Sequence, residues 1–410
     1  MGKQKLFHRD FTMVVLGQVI SLFGNAILRF ALPLYLLDQT ASPALVGLAS
    51  ALAFLPMALL SPVGGVVADR VNKRNIMAAL DFGTAALIVL FSVALGRVAL
   101  VPLLIAVMML LYGIQGAYQP AVQASLPLLA EGERLLPANA VINQVSALSS
   151  LLGPAVGGLL YGGWGMRPIL LVGGVCFLLS AVMELFIHIP HTPRPRAKGV
   201  LAVVIDDLRD SFRFLLHERP VLAKAVGLLC AFNLFLSALM IIGLMVIIKQ
   251  TLGMSDEMYG LSQGLLAAGG LCGGVLAGVF AQKLRIAQAH RLLAGCAALL
   301  VPVGLALLFG MPRLASFWVI AAASFAMMAL STLFSVQMLT FVQAQTPKAL
   351  VGKVIACLMA VSMCAQPLGQ AMYGALFEQF PGAPWAIVLG AAAVSGGIAL
   401  LSRKAFHALA

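Results

Sequence analysis

The sequence predicts an all-α integral membrane protein in which twelve transmembrane helices form two pseudo-symmetric six-helix bundles. Composition, the spacing of apolar segments and an internal repeat lead to this fold class. Of the 410 residues, 61% are hydrophobic and only 10% are charged. Soluble domains carry about 25% charged residues. The composition therefore excludes a soluble enzyme, a soluble nucleic-acid-binding domain and a disordered chain.

Twelve apolar segments are long enough to cross about 30 Å of hydrocarbon as helices, which takes about 20 residues each. They lie near residues 11–36, 44–68, 75–95, 99–124, 139–162, 168–189, 221–248, 259–282, 291–310, 314–343, 351–378 and 384–402. Short charged clusters separate them, so we assign one transmembrane helix to each segment.

The basic residues fall mainly on one side of the membrane under this assignment. If the N-terminus is cytoplasmic, 21 of the 26 Lys and Arg residues lie on that side, Arg29 lies inside a segment, and Arg97, Arg167, Lys249 and Arg313 lie outside. Basic loops stay in the cytoplasm. We therefore expect both termini to be cytoplasmic and the protein to span the cytoplasmic (inner) membrane. We expect no cleavable signal, because the first apolar segment is longer than a signal-peptide core.

A polar stretch in the middle of the chain separates two halves of six segments. It begins with Pro193-Arg194-Pro195-Arg196 and continues with apolar side chains at helical spacing from Leu201 to Leu215. The predicted domains are an N-terminal bundle (1–190), a cytoplasmic linker with an amphipathic helix (191–220) and a C-terminal bundle (221–410). The helix is interpreted first as a tether and alternatively as a regulatory partner site.

The second half repeats the first at an offset of 213 residues. This offset aligns Gly47 with Gly260, Gly65 with Gly278, and Pro154 with Pro367. Repeated halves in a helical membrane protein are typical of transporters, whose substrate site lies near the midplane between the repeats.

Motifs for catalysis and for metal binding are absent from the sequence. There is no phosphate-binding loop and no Ser/His/Asp arrangement. The six cysteines lie inside apolar segments and the six histidines are isolated. We therefore predict a protein that is not an enzyme and has no cofactor, metal or nucleic-acid partner, so its energy must come from a gradient.

The most specific local motif is the loop after the second segment, Gly65-Val-Val-Ala-Asp69-Arg70-Val-Asn-Lys73-Arg74. Gly65 would permit close helix contact, and Asp69 at the membrane edge would pair with cations or with the end of a helix dipole. We interpret Asp81, two turns into the third segment, first as a partner of this loop. The predicted cytoplasmic gate consists of Gly65, Asp69, Arg70, Lys73, Arg74 and Asp81.

This loop resembles the signature of the major facilitator superfamily between helices two and three, with Asn72 where the family usually has glycine. In the fifth segment, Gly153-Pro154-Ala-Val-Gly157-Gly158 resembles the core of the motif typical of the family's exporters. Ala140 and Ser149 replace upstream glycines of that longer motif. A proline beside glycines bends and thins a helix so that another can rock against it.

Further matches resemble the macrolide-efflux and siderophore-exporter branch of that superfamily. They include Gly17-Gln18-Val-Ile-Ser21, Phe54-Leu-Pro56, Arg74-Asn-Ile-Met77, Val351-Gly352-Lys353-Val354 and Gln366-Pro367-Leu-Gly369. The resemblance implies a drug:proton antiporter of twelve helices, and that branch includes exporters of macrolides, peptides and iron chelators. We expect a monomer.

Polar side chains inside the segments mark a candidate substrate cavity, because an ionisable group there costs at least about 2.5 kcal/mol unless it faces a cavity or a partner. Segments one and four each present a polar stripe, and these two segments should approach one another. The candidates are Gln18, Asn25 and Arg29 on segment one, Tyr112, Gln115 and Gln119 on segment four, and Asn233, Gln337 and Gln366 in the second half. Helix-to-helix hydrogen bonding is the alternative for each amide. Arg29 would bind an anionic or carbonyl-rich substrate or be neutralised by a carboxylate.

A proton-coupled exporter needs a carboxylate that can change its charge in the cavity. Glu184, two turns from the cytoplasmic end of segment six, and Asp81 are the candidates. The sequence thus predicts a secondary transporter that exports amphiphilic small molecules, such as macrolide-like antibiotics, in exchange for protons, with membrane lipids around it. The alternatives are export of one endogenous siderophore or peptide antibiotic, and lipid translocation on the same fold without proton coupling.

Overall fold

The computed structural model describes residues 7–130, 132–190, 209, 213, 220–280, 288–347 and 350–407. The described chain is helical, and no strand occurs within these ranges. Nearly all of the predicted linker, with its amphipathic helix, lies outside the described residues.

Six long helices follow one another in the first half of the chain. They are α1 (Arg9–Thr40), α2 (Pro43–Arg70), α3 (Lys73–Ala94), α4 (Leu100–Leu129), α5 (Leu135–Trp164) and α6 (Met166–Leu185). A 3-10 turn, Gly132–Arg134, precedes α5.

The second half begins with a helix of mixed type and continues with five α-helices. The first, α7, runs from Pro220–Phe232 into a π-helical part made of Asn233–Ser237, Leu239–Gly243 and Ile247–Thr251, with one α-turn at Leu244–Val246. The others are α8 (Asp256–Val279), α9 (Ala289–Leu308), α10 (Arg313–Gln345), α11 (Val351–Gln379) and α12 (Pro384–His407).

Each predicted apolar segment coincides with one of these helices, which confirms the fold class. Among the described residues, eleven helices are long and apolar enough to cross a membrane. The twelfth, α11, has 29 residues and occupies the eleventh predicted segment. Helices are the expected form, because a backbone in hydrocarbon must satisfy its hydrogen bonds within the segment.

Local sequence signals set several helix boundaries. The Asn72 side chain accepts a hydrogen bond from the backbone N–H of Arg74 at 3.1 Å, so Asn72 caps the N-terminus of α3. Ser255 caps α8 in the same way. Gly165, with a φ of 75°, makes the sharp turn between α5 and α6.

The chain forms two compact units. Unit 1 comprises Met1–Gln39 and Leu52–Val204, and unit 2 comprises Thr40–Ala51 and Ile205–Ala410. The start of α2 therefore belongs to unit 2, while the rest of that helix belongs to unit 1. The domain boundaries at residues 190 and 221 stay a prediction.

The two units repeat the same internal helix pairs. In unit 1, α3 packs along α6, and in unit 2, α9 packs along α12. A Cβ atom on Gly116 of α4 would lie 2.7 Å from the Met57 carbonyl oxygen of α2, and one on Gly273 of α8 would lie 2.9 Å from the Ala329 Cα atom of α10. Ala329 follows Gly116 by 213 residues, so the sequence repeat corresponds to a repeated helix crossing.

In unit 2, the start of α2 packs against α11 and is hydrogen-bonded to it. A Cβ atom on Gly47 would lie 3.1 Å from the Gly374 Cα atom, so the two backbones touch. The Glu378 carboxylate accepts hydrogen bonds from the Ser42 hydroxyl and, at 2.9 Å, from the Ala44 backbone N–H. This carboxylate satisfies one N–H group that the first turn of α2 leaves unpaired.

An apolar core fills the end of unit 1 where α1 begins and α6 ends. Phe11, Val14, Met77, Val122 and Ile187 are among its buried side chains. This core lies next to the polar groups described below, because Tyr118 belongs to both.

Candidate functional site

Two carboxyl groups are buried in unit 1 among α1, α3, α4 and α6. Asp81 is 2% exposed and Glu184 is fully buried. The Tyr118 hydroxyl donates to Glu184 Oε1 at 2.7 Å, and Gln18 Nε2 donates to the Tyr118 hydroxyl at 2.7 Å. The Ser21 hydroxyl donates to Asp81 Oδ1 at 3.2 Å. We call Gln18, Ser21, Asp81, Tyr118 and Glu184 the acid cluster.

The acid cluster has more acceptor atoms than donors. Asp81 Oδ2, Glu184 Oε2 and Gln18 Oε1 are buried without a hydrogen-bond partner among the described residues. The Asp81 and Glu184 charges would also repel one another. An ionised carboxylate is costly to bury without a partner, whereas a protonated carboxyl group supplies the missing donor. The arrangement can therefore hold a proton and release it when water or a cation arrives.

A polar ladder between α1 and α4 continues from the acid cluster. The contact between Gln18 and Tyr118 is its first rung. In the second rung, Asn25 Nδ2 donates to Gln115 Oε1 at 3.2 Å. The third is a cation–π contact, in which Arg29 Cζ lies 4.0 Å from the centroid of the Tyr112 ring. These contacts confirm the prediction that segment four approaches segment one. Gln119 is half-buried on the same helix.

The glycine-rich motif of α5 packs against this same α1. A Cβ atom on Gly153 would lie 3.4 Å from the Ala26 Cα atom, and one on Gly157 would lie 2.9 Å from Phe30 Cδ1. Gly158 is buried as well, and Pro154 lies within the helix. Side chains larger than hydrogen at Gly153 and Gly157 would push α5 away from the helix that carries the polar ladder.

A hollow of about 330 Å³ lies in unit 2 beside the π-helical part of α7. Thioether and other apolar side chains provide most of its lining, including Met240, Met327 and Met328, and Ser237 and Gln366 add polar groups. Flexible methionines adapt to ligands of different shape. The hollow suits an apolar group that offers few hydrogen-bonding atoms.

Comparison with known proteins identifies the family. The sequence profile of the Major Facilitator Superfamily matches residues 14–356. The chain belongs to this superfamily. It is similar to macrolide efflux protein A of Streptococcus pyogenes, with 28% identity over 191 residues, but this match spans only 46% of the chain and 47% of that protein. It is also similar to the enterobactin exporter EntS of Shigella boydii, with 27% identity over 90% of the chain and 85% of that protein.

Solved transporters share the fold of this superfamily member. A crystal structure of the nucleoside transporter NupG has a TM-score of 0.75 and 11% identity, covering 98% of this chain and 99% of that one. At this identity the likeness concerns the fold alone. Membership of the Major Facilitator Superfamily, together with the long apolar helices, makes the chain a multi-pass membrane protein of a transporter family.

The structure describes only some side chains of the predicted cytoplasmic gate. The Asp69 side chain lies outside the described residues. Arg70 is half-buried and Lys73 is buried. Arg74 donates from Nε and Nη2 to Asn75 Oδ1 at 3.1 and 3.0 Å.

Two expectations about the gate residues are wrong in this structure. Asp81 contacts Ser21 in the acid cluster instead of the basic loop, because it lies two turns into α3 on the face that meets α1. Gly65 makes no close helix contact, since a Cβ atom there would meet nothing within 4 Å. The contact falls on the preceding residue, where a Cβ atom on Gly64 would lie 2.7 Å from the Ala117 Cα atom of α4.

The polar candidates of unit 2 have different surroundings. Asn233 Nδ2 donates to the Leu229 carbonyl of its own helix at 3.1 Å, which is neither a cavity contact nor the helix-to-helix hydrogen bond of the alternative. Gln337 is buried, with Oε1 lacking a partner among the described residues. Gln366 lines the hollow.

Tyr118, which joins Gln18 to Glu184, is not among the site residues that the sequence predicts. Its spacing of three residues from Gln115 on α4 is the available signal. The sequence does not predict the π-helical part of α7 either. Ser237 and Met240 reach the hollow from π-helical turns, which occur frequently at functional sites.

Proposed function

We propose that this transporter exports amphiphilic small molecules and exchanges them for protons by alternating access. The observation that carries the proposal is the acid cluster. Among the described residues, no Lys or Arg side chain contacts Asp81 or Glu184. Two buried carboxyl groups without a cation are a natural place to bind a proton, because the neutral form needs no charged partner.

Export is supported by the relatives, since the names of the two reported relatives describe efflux or export. Antiport requires that proton binding and substrate binding exclude one another. The acid cluster and the polar ladder share α1 and α4. A substrate that breaks the ladder contacts between these helices would therefore also disturb the hydrogen bonds of the acid cluster, where the proton is bound. Coupling then acts through Gln18 and Tyr118.

The substrate class is inferred from the chemistry of each unit taken by itself. In unit 1, Arg29 and the ladder amides offer donors to carbonyl-rich or anionic groups. In unit 2, the hollow beside α7 suits an apolar group. Macrolide-like antibiotics carry both kinds of group. We assign Gly65, Asp69, Arg70, Lys73 and Arg74 to the cytoplasmic gate. We propose that the protein is a monomer in the inner membrane and that both termini face the cytoplasm.

Export of one endogenous metabolite is the second candidate. The match to the enterobactin exporter spans 85% of that protein, whereas the match to the macrolide efflux protein spans 47% of its relative. A siderophore offers several carbonyl and hydroxyl oxygens to the same polar ladder.

The test is transport by the purified protein in liposomes, with a radiolabelled macrolide and an imposed pH gradient. We expect the gradient to drive uptake by the unaltered protein. Glu184→Gln and Asp81→Asn should lower pH-driven uptake at least about tenfold, equivalent to about 1.4 kcal/mol. Glu133→Gln is the matched control, because Glu133 is exposed in the 3-10 turn.

Two outcomes would contradict the proposal. Full pH-driven uptake by the double variant Asp81→Asn/Glu184→Gln would remove the acid cluster from coupling. Substrate movement by the unaltered protein that does not respond to any pH gradient would favour a translocator of the same fold without proton coupling.

A further inference from the structure

A second hollow, of about 720 Å³, lies between α3 and α6 of unit 1, and no residue of the acid cluster lines it. Its lining is apolar except for Ser92 and Arg167. Leu90 and Leu171 in this lining are 67% and 69% exposed, so the hollow is an open groove on the surface of the unit. Arg167 is the one charged residue in the lining.

The groove has the length of one membrane leaflet. It extends along α6 from Arg167 to Leu178 and along α3 from Val93 to Phe82. Eleven residues of helix rise about 16 Å. This length is close to half of the ~30 Å hydrocarbon thickness.

Arg167 stands at the end of the groove where a lipid head group would lie. Asp10 Oδ1 accepts a hydrogen bond from the His188 backbone N–H, so α1 starts and α6 ends on one side of the unit, and Arg167 in the first turn of α6 is on the other. Trp164, just before it, is 70% exposed, as expected at a membrane interface. Within the part of the chain that the structure describes, Arg167 has no hydrogen-bond or ion-pair partner.

We propose that the groove binds one acyl chain of an anionic phospholipid, whose phosphate is held by Arg167. A guanidinium group matches the geometry of a phosphate through two parallel hydrogen bonds. The apolar lining excludes a free polar metabolite, and the length fits a chain that crosses one leaflet. Asp81 and Glu184 lie on the buried faces of the same two helices, so a bound lipid stabilises the helix pair that carries the acid cluster.

Native mass spectrometry of the purified protein tests this site. The probes are phosphatidylglycerol and phosphatidylcholine with identical chains. We expect the unaltered protein to retain phosphatidylglycerol more strongly. Arg167→Gln should weaken this retention about fivefold, equivalent to about 1 kcal/mol for one basic residue near a lipid surface. Ala86→Phe should lower retention of both lipids, because Ala86 is an exposed lining residue and a ring would fill the groove.

Matched controls separate the groove from general lipid contact. Arg97→Gln removes an exposed arginine outside the lining, and Ala393→Phe adds a ring at an exposed position of α12. Both should retain phosphatidylglycerol as the unaltered protein does. Equal retention by the Arg167→Gln variant and the unaltered protein would overturn the head-group assignment, and unchanged retention by Ala86→Phe would overturn the groove. Neither result depends on transport activity.

Discussion

At the scale of single residues, Tyr118 organises the acid cluster. Its hydroxyl has one proton, which it donates to Glu184, and it accepts the hydrogen bond from Gln18. An ionised carboxylate can only accept, whereas a protonated one can also donate. Protonation of Glu184 therefore permits the hydrogen bond with Tyr118 to reverse, and the change reaches α1 through Gln18.

Replacing Tyr118 with Phe should uncouple protons from substrate. The variant leaves Glu184 Oε1 and the Gln18 amide without their partner, so we expect a loss of stability of about 1–3 kcal/mol. We expect proton release on substrate binding, measured with a pH indicator in weakly buffered detergent solution, to fall well below that of the unaltered protein. Tyr161→Phe, which removes a hydrogen bond to Asp38, is the control and should release protons normally. Normal release by Tyr118→Phe would contradict the relay.

Arg29 should determine which substrates are exported. Its guanidinium group lies over the Tyr112 ring and remains half-buried, so it keeps donors for a ligand. Arg29→Ala should reduce transport of carbonyl-rich and anionic compounds more than that of cationic ones, while the yield of folded protein is retained. Arg29→Lys should reduce the transport of these compounds less than Arg29→Ala does, because lysine keeps the charge and loses only the planar donor fork. An inhibition profile that is identical for all three proteins would exclude a cavity role.

At the scale of helices, the crossing of α2 and α4 affects two neighbouring glycines of the second segment differently. Gly64 lies at the crossing and Gly65 does not. Alanine at Gly64 would place its Cβ atom 2.7 Å from the Ala117 Cα atom, whereas alanine at Gly65 would meet open space. Overpacking of this kind costs about 1–3 kcal/mol. We expect Gly64→Ala to lower the temperature of thermal unfolding and Gly65→Ala to leave it unchanged or raise it, since both gain the same helix propensity.

The comparison of Gly64→Ala with Gly65→Ala tests whether helix packing or membership of the family motif determines how strongly a substitution in this part of α2 lowers stability. Greater loss of stability in Gly65→Ala than in Gly64→Ala would contradict the crossing described here. Loss of transport by Gly65→Ala without loss of stability would instead support its proposed place in the cytoplasmic gate.

At the scale of the whole molecule, the two repeats differ in chemistry. An offset of 213 residues places Ala294 and Gly397 where unit 1 has Asp81 and Glu184. The same offset takes Tyr118 to Ser331, which lines the hollow of unit 2. Unit 1 therefore holds the carboxyl groups, while unit 2 has an apolar hollow at the corresponding region. We infer that the repeats divide proton binding and apolar substrate contact between them.

A susceptibility panel in a host that lacks its own efflux pumps tests the function of the intact protein. We expect the unaltered protein to raise resistance to several unrelated amphiphilic antibiotics, and an uncoupler of the proton gradient to abolish this resistance. A host that expresses the Glu184→Gln variant at the same level should be as susceptible to these antibiotics as the host without the protein. Protection against a single compound class would favour the dedicated exporter over multidrug efflux.

The amino-acid sequence is sufficient to predict the twelve apolar helices and the family motifs. These properties are local, because bilayer thickness fixes the length of a helix and the backbone satisfies its hydrogen bonds within it. Glu184 was also recognisable as an ionisable group inside an apolar segment.

The contacts between side chains of different helices depend on the folded structure. Tyr118 and Glu184 are 66 residues apart in sequence, and Gln18 and Tyr118 are 100 apart. The placement of Asp81 with Ser21, the close approach at Gly64 and the groove beside Arg167 depend in the same way on how each helix is rotated and where it crosses its neighbours. Helix periodicity gives the relative positions of residues on one helix, but the packing of side chains between helices sets the rotation that turns a polar stripe into a site.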